Sequence, residues 1–280
     1  MTRLAMRNLW SAFMIGVSAL AAGVAAALLA LIVAYVVAKG AGAFSAAFFT
    51  QLPRPVGITG GGVANAIFGS AEIIVLASLV AVPVGVVTGI YLALFGRGPL
   101  AAAVRFLSDV LTGVPSIAIG VFAYALVVLP TKQFSAASAA VALAVIMLPI
   151  VVRTTEEAVK LVPHTIREGA LALGIPSWKG TLLVTVPVAR PGIVTGILLS
   201  VARVAGESAP LLFTAFGSQY WTNGIFKPIA ALPLVIFQYA ISPYNDLKQI
   251  AWGGALVLIV LVFALNLTAW LALRSRFAQR

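Results

Sequence analysis

The sequence contains no cysteine, a single histidine and only seven acidic residues among 280. Without cysteine there is no disulfide, no thiolate metal site and no cysteine nucleophile. The one histidine, His164, has no second histidine at ligand spacing, which removes a histidine-based metal centre. It follows Pro163 in a charged stretch and reads as a solvated residue at a helix start. The patterns H-E-x-x-H and G-x-S-x-G are missing, as are paired aspartates inside an apolar run. Charged residues make up 9% of the chain, where a soluble domain carries roughly a quarter. No residue is assigned as catalytic or as a metal ligand.

What is present instead is apolar surface: 62% of residues are hydrophobic, and the mean hydropathy is +1.10. Runs of about 20 apolar residues recur, so the solvent being matched is lipid. The expected fold class is all-α, a polytopic membrane protein with spans near 11–38, 71–95, 110–130, 136–152, 192–217 and 250–273. The first run follows Arg3 and Arg7 as a signal peptide would. It is far longer than a signal peptide's apolar core and is expected to stay as a transmembrane helix.

A net charge of +11 suggests nucleic acid in a soluble protein. Here the basic residues sit at the ends of apolar runs, so they read as topology signals and contacts to anionic lipid, with no nucleic-acid partner. With the N-terminus inside, Arg3, Arg7, Arg97, Arg105, Arg153, Lys160, Arg167, Lys179, Arg190, Arg274, Arg276 and Arg280 fall on the cytoplasmic side. Only Lys39, Arg54, Lys132, Lys227 and Lys248 fall outside. Both termini are therefore expected in the cytoplasm. Residues 1–280 read as a single transmembrane domain, with an outer loop at 39–69, core helices at 71–217 and an outer segment at 218–249.

The outer loop carries Gly60-Gly61-Gly62, which lacks the Gly-Lys-Ser/Thr of a phosphate loop and is expected to be a flexible turn before an interfacial helix from Val63. Ser70 and Glu72 resemble an N-cap and first-turn acid for the second span. The aromatic 218–249 segment contains ALPLVIFQYA, too short to cross, and is expected to be interfacial or re-entrant.

One span departs from an apolar interior. In SVARVAGESAPLLF, Arg203 and Glu207 are four apart, expected on one helical face near the midplane. Charge there is costly unless paired or facing water. Pro210 cannot donate to the Gly206 carbonyl, so the helix should open beside the pair, with Ser208 adding a hydroxyl. Arg203, Glu207, Ser208 and Pro210 are the candidate substrate path. In GVPSIAIGVF at 113–122, Gly113, Ser116 and Gly120 form a small-residue stripe suited to close helix packing.

The stretch 153–190 is the opposite case, polar and cytoplasmic by the charge count. A helix through Glu168 should break at Gly174 and Pro176, and a short one should begin at Ser177 and run towards Pro187. Gly-Ile-Pro-Ser-Trp-Lys-Gly-Thr has the wrong order for a Walker A motif, so any ATP is bound by another chain. A helix–Gly–helix of this kind is a knob for a soluble partner.

Glu168-Gly169-Ala170, Gly174 and Val184-Thr185-Val186-Pro187 resemble the E-A-A-x3-G-x9-I-x-L-P loop of ABC-importer permeases, with Gly169 in place of the first alanine. GGGVANAIFGS, GVPSIAIGVF and RVAGESAPLLFTAFG are similar to the PstA permeases of phosphate-specific importers, where Ser208 replaces a usual threonine. The resemblance implies the MetI-like fold of type I importers in the bacterial cytoplasmic membrane. It also implies a homologous permease, PstC, an ATPase dimer, PstB, carrying ATP and Mg, and an external phosphate-binding protein, PstS. Glu168, Gly169, Ala170, Gly174 and Pro187 would then couple to the ATPase, whose closure swings the permease from inward- to outward-facing. Arg203 and Glu207 would be implicated in phosphate passage. A permease for sulfate or molybdate and a non-transporting membrane scaffold are the alternatives.

Overall fold

The computed structural model describes residues 3–277 except 56, 57 and 59. Arg280, one of the basic residues that set the expected orientation, lies outside them. In chain order the helices are α1 (Arg3–Gly40), α2 (Ala46–Thr50), α3 (Ala64–Leu94), α4 (Pro99–Gly113), α5 (Ser116–Thr131), α6 (Ala136–Lys160), α7 (His164–Ala172), α8 (Ser177–Ala205), α9 (Ala209–Thr214), α10 (Leu232–Ala240) and α11 (Asn245–Phe277). An isolated bridge between Phe216 and Ile229 is the only extended pairing among the described residues. The fold is all-α, as expected.

Five of these helices, α1, α3, α6, α8 and α11, are long and apolar enough to cross a membrane. The sixth expected span, 110–130, is instead a pair: α4 and α5 meet at a bend of 107°. The bend follows from Pro115. It forces Val114 into extended backbone, with φ −69° and ψ 132°, so α4 must stop at Gly113.

Helix α6 is the centre of the molecule, with two thirds of its apolar window buried. Its partner α3 presents Ala77, Ala81, Gly85 and Gly89 at four-residue intervals, which brings the two axes close. A Cβ on Gly89 would stand 2.6 Å from the Thr155 Cβ, and one on Gly85 2.8 Å from the Val151 Cβ. On another side, Gly192 and Gly196 of α8 abut Ala158 and Thr154 of α6.

Several element boundaries differ from the sequence expectation, each for a local or long-range reason. Helix α3 begins at Ala64, so Ser70 and Glu72 lie inside it rather than at its start. The Ser70 hydroxyl instead accepts the Leu232 N–H at 2.7 Å. The separate interfacial helix expected from Val63 is the first part of α3. The glycine run before it is a close-packed turn, with Gly60 and Gly61 at φ +92° and Gly62 pressed on the carbonyls of α2.

The short helix expected at 177–187 and the span expected at 192–217 form one continuous helix, α8, which ends earlier, at Ala205. Pro187 is absorbed because a widened π turn, Thr181–Thr185, precedes it. The same device, Tyr124–Val128, precedes Pro130 in α5. Helix α6 continues to Lys160 instead of stopping at 152.

Most of the segment expected to be interfacial or re-entrant is exposed, and its middle, 229–235, is buried. Ile229, Ala230, Ala231, Leu232 and Leu234 are buried, and α10 packs on α11 and on the start of α3. Asn65 donates to the Ser218 carbonyl at 2.8 Å, and Gly69 abuts the Ala230 carbonyl. At about 13 Å long, α10 cannot cross. Helix α1, by contrast, meets the body mainly along α11, with Tyr35 edge-on to Trp252 and Gly40 against the Trp252 carbonyl.

Candidate translocation and coupling sites

The coupling candidates sit where α6, α7 and α8 join. Pro163 fixes extended backbone before α7 and cannot continue α6. Helix α7 closes on Gly174, whose φ of +76° is the left-handed conformation that glycine adopts without strain. The Gly174 N–H donates to the Leu171 carbonyl and the Ile175 N–H to that of Ala170, satisfying the helix end. Pro176 then starts α8.

Glu168, Gly169 and Gly174 are exposed, while Ala170 is buried against Gly180. Ala170 therefore holds α7 to α8, and Glu168 and Gly169 face outward. Pro187 is exposed but lies within α8, well beyond the turn. Around the turn, Leu161 is 83% and Leu173 82% exposed.

The path candidates sit at the far end of α8. The chain leaves the helix at Gly206 and re-enters one at Ala209, so the opening expected beside Pro210 is present. Pro210 falls in the first turn of α9, where its missing N–H costs nothing. It is buried against α5, and a Cβ on Gly120 would stand 2.6 Å from its Cα. Gly120 is thus the packing residue of its stripe; Gly113 has no heavy atom near its missing Cβ.

The break also changes the expected pair. Arg203 stands in the last turn of α8, and Glu207 lies beyond the helix end. They do not share a continuous helical face, and no ion pair joins them among the described residues. Arg203 is exposed; Glu207 and Ser208 are half-buried. The midplane estimate counted from residue 192, whereas α8 begins at Ser177 and carries Arg203 to its other end.

A third cluster escaped the sequence reading. Glu156 of α6 is 1% exposed and takes Arg105 Nε at 2.7 Å and Lys160 Nζ at 2.5 Å on one oxygen, with Arg153 Nη1 3.6 Å from the other. Arg105 also donates to the Leu92 carbonyl at 2.7 Å and the Gly96 carbonyl at 3.3 Å. Arg153 in turn grips Asp109 through two nitrogens. The cluster fastens α4 and the end of α3 onto α6. Its signal was available in the spacing: 105 and 109 form one face of α4, and 153, 156 and 160 one face of α6, with complementary charge.

Residues 85–275 match the model of the family described as "Binding-protein-dependent transport system inner membrane component". The chain belongs to that family. It is a multi-pass inner-membrane protein. The three clusters all fall within the matched residues, whereas α1 and the outer loop precede them.

The chain is 45% identical over 234 residues to a phosphate transport system permease protein PstA of Yersinia pestis, covering 83% of this chain and 79% of that one. It is 50% identical over 235 residues to the protein of the same name in Xylella fastidiosa, covering 83% and 82%. Among solved structures, an inward-facing methionine ABC transporter, MetNI, matches with a TM-score of 0.60 at 20% identity, over 75% of this chain and 95% of that one. That likeness concerns the fold, and it agrees with the MetI-like expectation.

Proposed function

We propose that this chain is the transmembrane permease subunit of an ATP-driven ABC importer for inorganic phosphate. The observation that carries the reading is the identity of 45–50%, over most of both chains, to permeases named for phosphate transport. It is a transport subunit and not an enzyme. Its partners in this reading are the permease PstC, the ATPase PstB, where ATP and Mg bind, and the external binding protein PstS. Both termini and the α7–α8 turn lie on the cytoplasmic side, as the basic-residue bias supports.

In this reading α7 docks on the ATPase, with Glu168, Gly169 and Gly174 at the contact and Ala170 behind it. ATP-driven displacement of α7 travels by two direct covalent routes. One is through residues 161–163 into α6, which carries α3 and α4 with it through Glu156. The other is through Gly174 into α8, which ends at Arg203. Helices transmit such motion as stiff bodies, and the break at 206–208 is where the backbone can bend.

Arg203 is the anion contact. A guanidinium presents a fork of donors that matches phosphate oxygens, and this one is exposed. Glu207, on the other side of the break, limits how tightly the anion is held, as a conducting site requires. Uptake of labelled phosphate by proteoliposomes holding the assembled complex tests the proposal. ATP-dependent uptake that excess sulfate and molybdate leave intact is the expected result. ATP-dependent uptake of sulfate or molybdate in place of phosphate would shift the substrate; absence of any uptake by a stably assembled complex would point to a scaffold.

A further inference from the structure

A cleft of about 280 Å³ lies between α7, the first turns of α8 and the end of α3; it borders the proposed coupling contact through Glu168, while its other lining residues have no part in that contact or in the path. Arg167 lines it, half-buried, with its Nε fully enclosed and without a hydrogen-bond partner. An enclosed guanidinium N–H normally has an acceptor. His164 and the hydroxyls of Ser177 and Thr181 line the same cleft. The Thr181 hydroxyl gives its one proton to the Ser177 carbonyl at 3.0 Å, so Arg167 and the Ser177 hydroxyl are the donors the cleft can offer.

The opposite wall is apolar, formed by Leu94 and by Phe95, which is 52% exposed. Just beyond, Trp178, Leu182 and Leu183 are exposed along α8, with the Lys179 ammonium over the Trp178 ring. Indole, leucine and lysine together mark a membrane–water boundary. The cleft thus has hydrogen-bond donors at one end and a hydrocarbon wall at the other. Glu168 also lines it. Its carboxylate weighs against a dianion and favours a singly charged phosphodiester.

We propose that the cleft binds a phosphoryl anion, either the headgroup of an anionic phospholipid or free inorganic phosphate, with Arg167 as its charge partner. Basic pockets at the cytoplasmic ends of membrane helices suit such headgroups. The cytoplasmic placement rests on the orientation proposed above. A bound anion would tie α7 to the end of α3, so occupancy adjusts how firmly the coupling helix is held.

The test uses the full chain purified with its native partner chains, in two arms. Native mass spectrometry reads retention of phosphatidylglycerol against phosphatidylcholine, and equilibrium binding reads ³²P-labelled inorganic phosphate. In at least one arm, one ligand per chain is expected; Arg167→Gln and, independently, Ser177→Ala lower its occupancy, Arg167→Gln by at least tenfold. Arg167→Lys restores part of it, and Lys227→Gln, at an exposed position outside the path and the coupling turn, leaves it unchanged. The arm that responds identifies the source of the phosphoryl group. Wild-type occupancy in both Arg167→Gln and Ser177→Ala, no binding in either arm, or an equal loss in Lys227→Gln would overturn the proposal. Failure of the importer reading would appear separately, as absent uptake with this binding intact.

Discussion

Two groups of charged residues in this chain face opposite circumstances. Glu156 is enclosed and surrounded by Arg105, Arg153 and Lys160. Arg203 is exposed at a helix end and has no ion pair among the described residues. A buried carboxylate can persist only when its partners replace the water it has lost, so its partners are committed to it. An uncommitted cation beside broken backbone keeps its donors free for something that comes and goes. The difference separates the residue that holds the helices together from the one that can meet a passing anion.

The largest effect should come from breaking the committed group. Glu156→Ala takes the shared anion from Arg105 and Lys160, with Arg153 left on Asp109, and should cost about 3–5 kcal/mol. Thermal unfolding of the detergent-purified protein measures it. Arg203→Ala should stay within about 0.5 kcal/mol of wild type, as exposed positions do. Equal destabilisation by the two substitutions would erase the comparison.

Backbone geometry gives the next prediction. Gly174→Val puts a β-branched residue at φ +76°, a cost of about 1–2 kcal/mol that is confined to the turn. Co-purification should show the ATPase lost or uncoupled while membrane insertion survives. Coupled ATP hydrolysis at the wild-type level would mean that α7 is not the docking element.

How much of this was readable from the sequence depended on the reach of each interaction. The turn between α7 and α8 was legible because Gly174, Pro176 and Ser177 act on their own neighbours. The opening near Pro210 was legible for the same reason. The length of α6 was not, since residues 153–160 look like the end of a span until Arg105, 51 positions away, is seen to neutralise Glu156. The burial of the first turn of α10 was hidden likewise, because it depends on Ser70 reaching Leu232 across 162 positions. Pairing of Arg203 with Glu207 assumed an unbroken helix, and the same proline that opens the chain removes the shared face.

Packing offers a smaller contrast within one motif. Gly120→Val drives a side chain into Pro210 and should cost about 1–3 kcal/mol. Gly113→Val meets open space and should cost less, and melting curves of the two variants rank them. A comparable effect is expected for Ser70→Ala, which strands the Leu232 N–H and should cost about 1–3 kcal/mol. Faster hydrogen exchange confined to α10 would report it.

The account rests most heavily on Arg203 being the residue that meets the anion. Phosphate uptake by proteoliposomes bearing Arg203→Lys or Glu207→Gln, at matched complex assembly, tests this directly. Arg203→Lys loses the fork and should take up phosphate far more slowly than wild type, and Glu207→Gln should also be impaired because the anion is released less readily. Normal uptake by both variants would contradict the account and leave the residues at the break with a structural role alone.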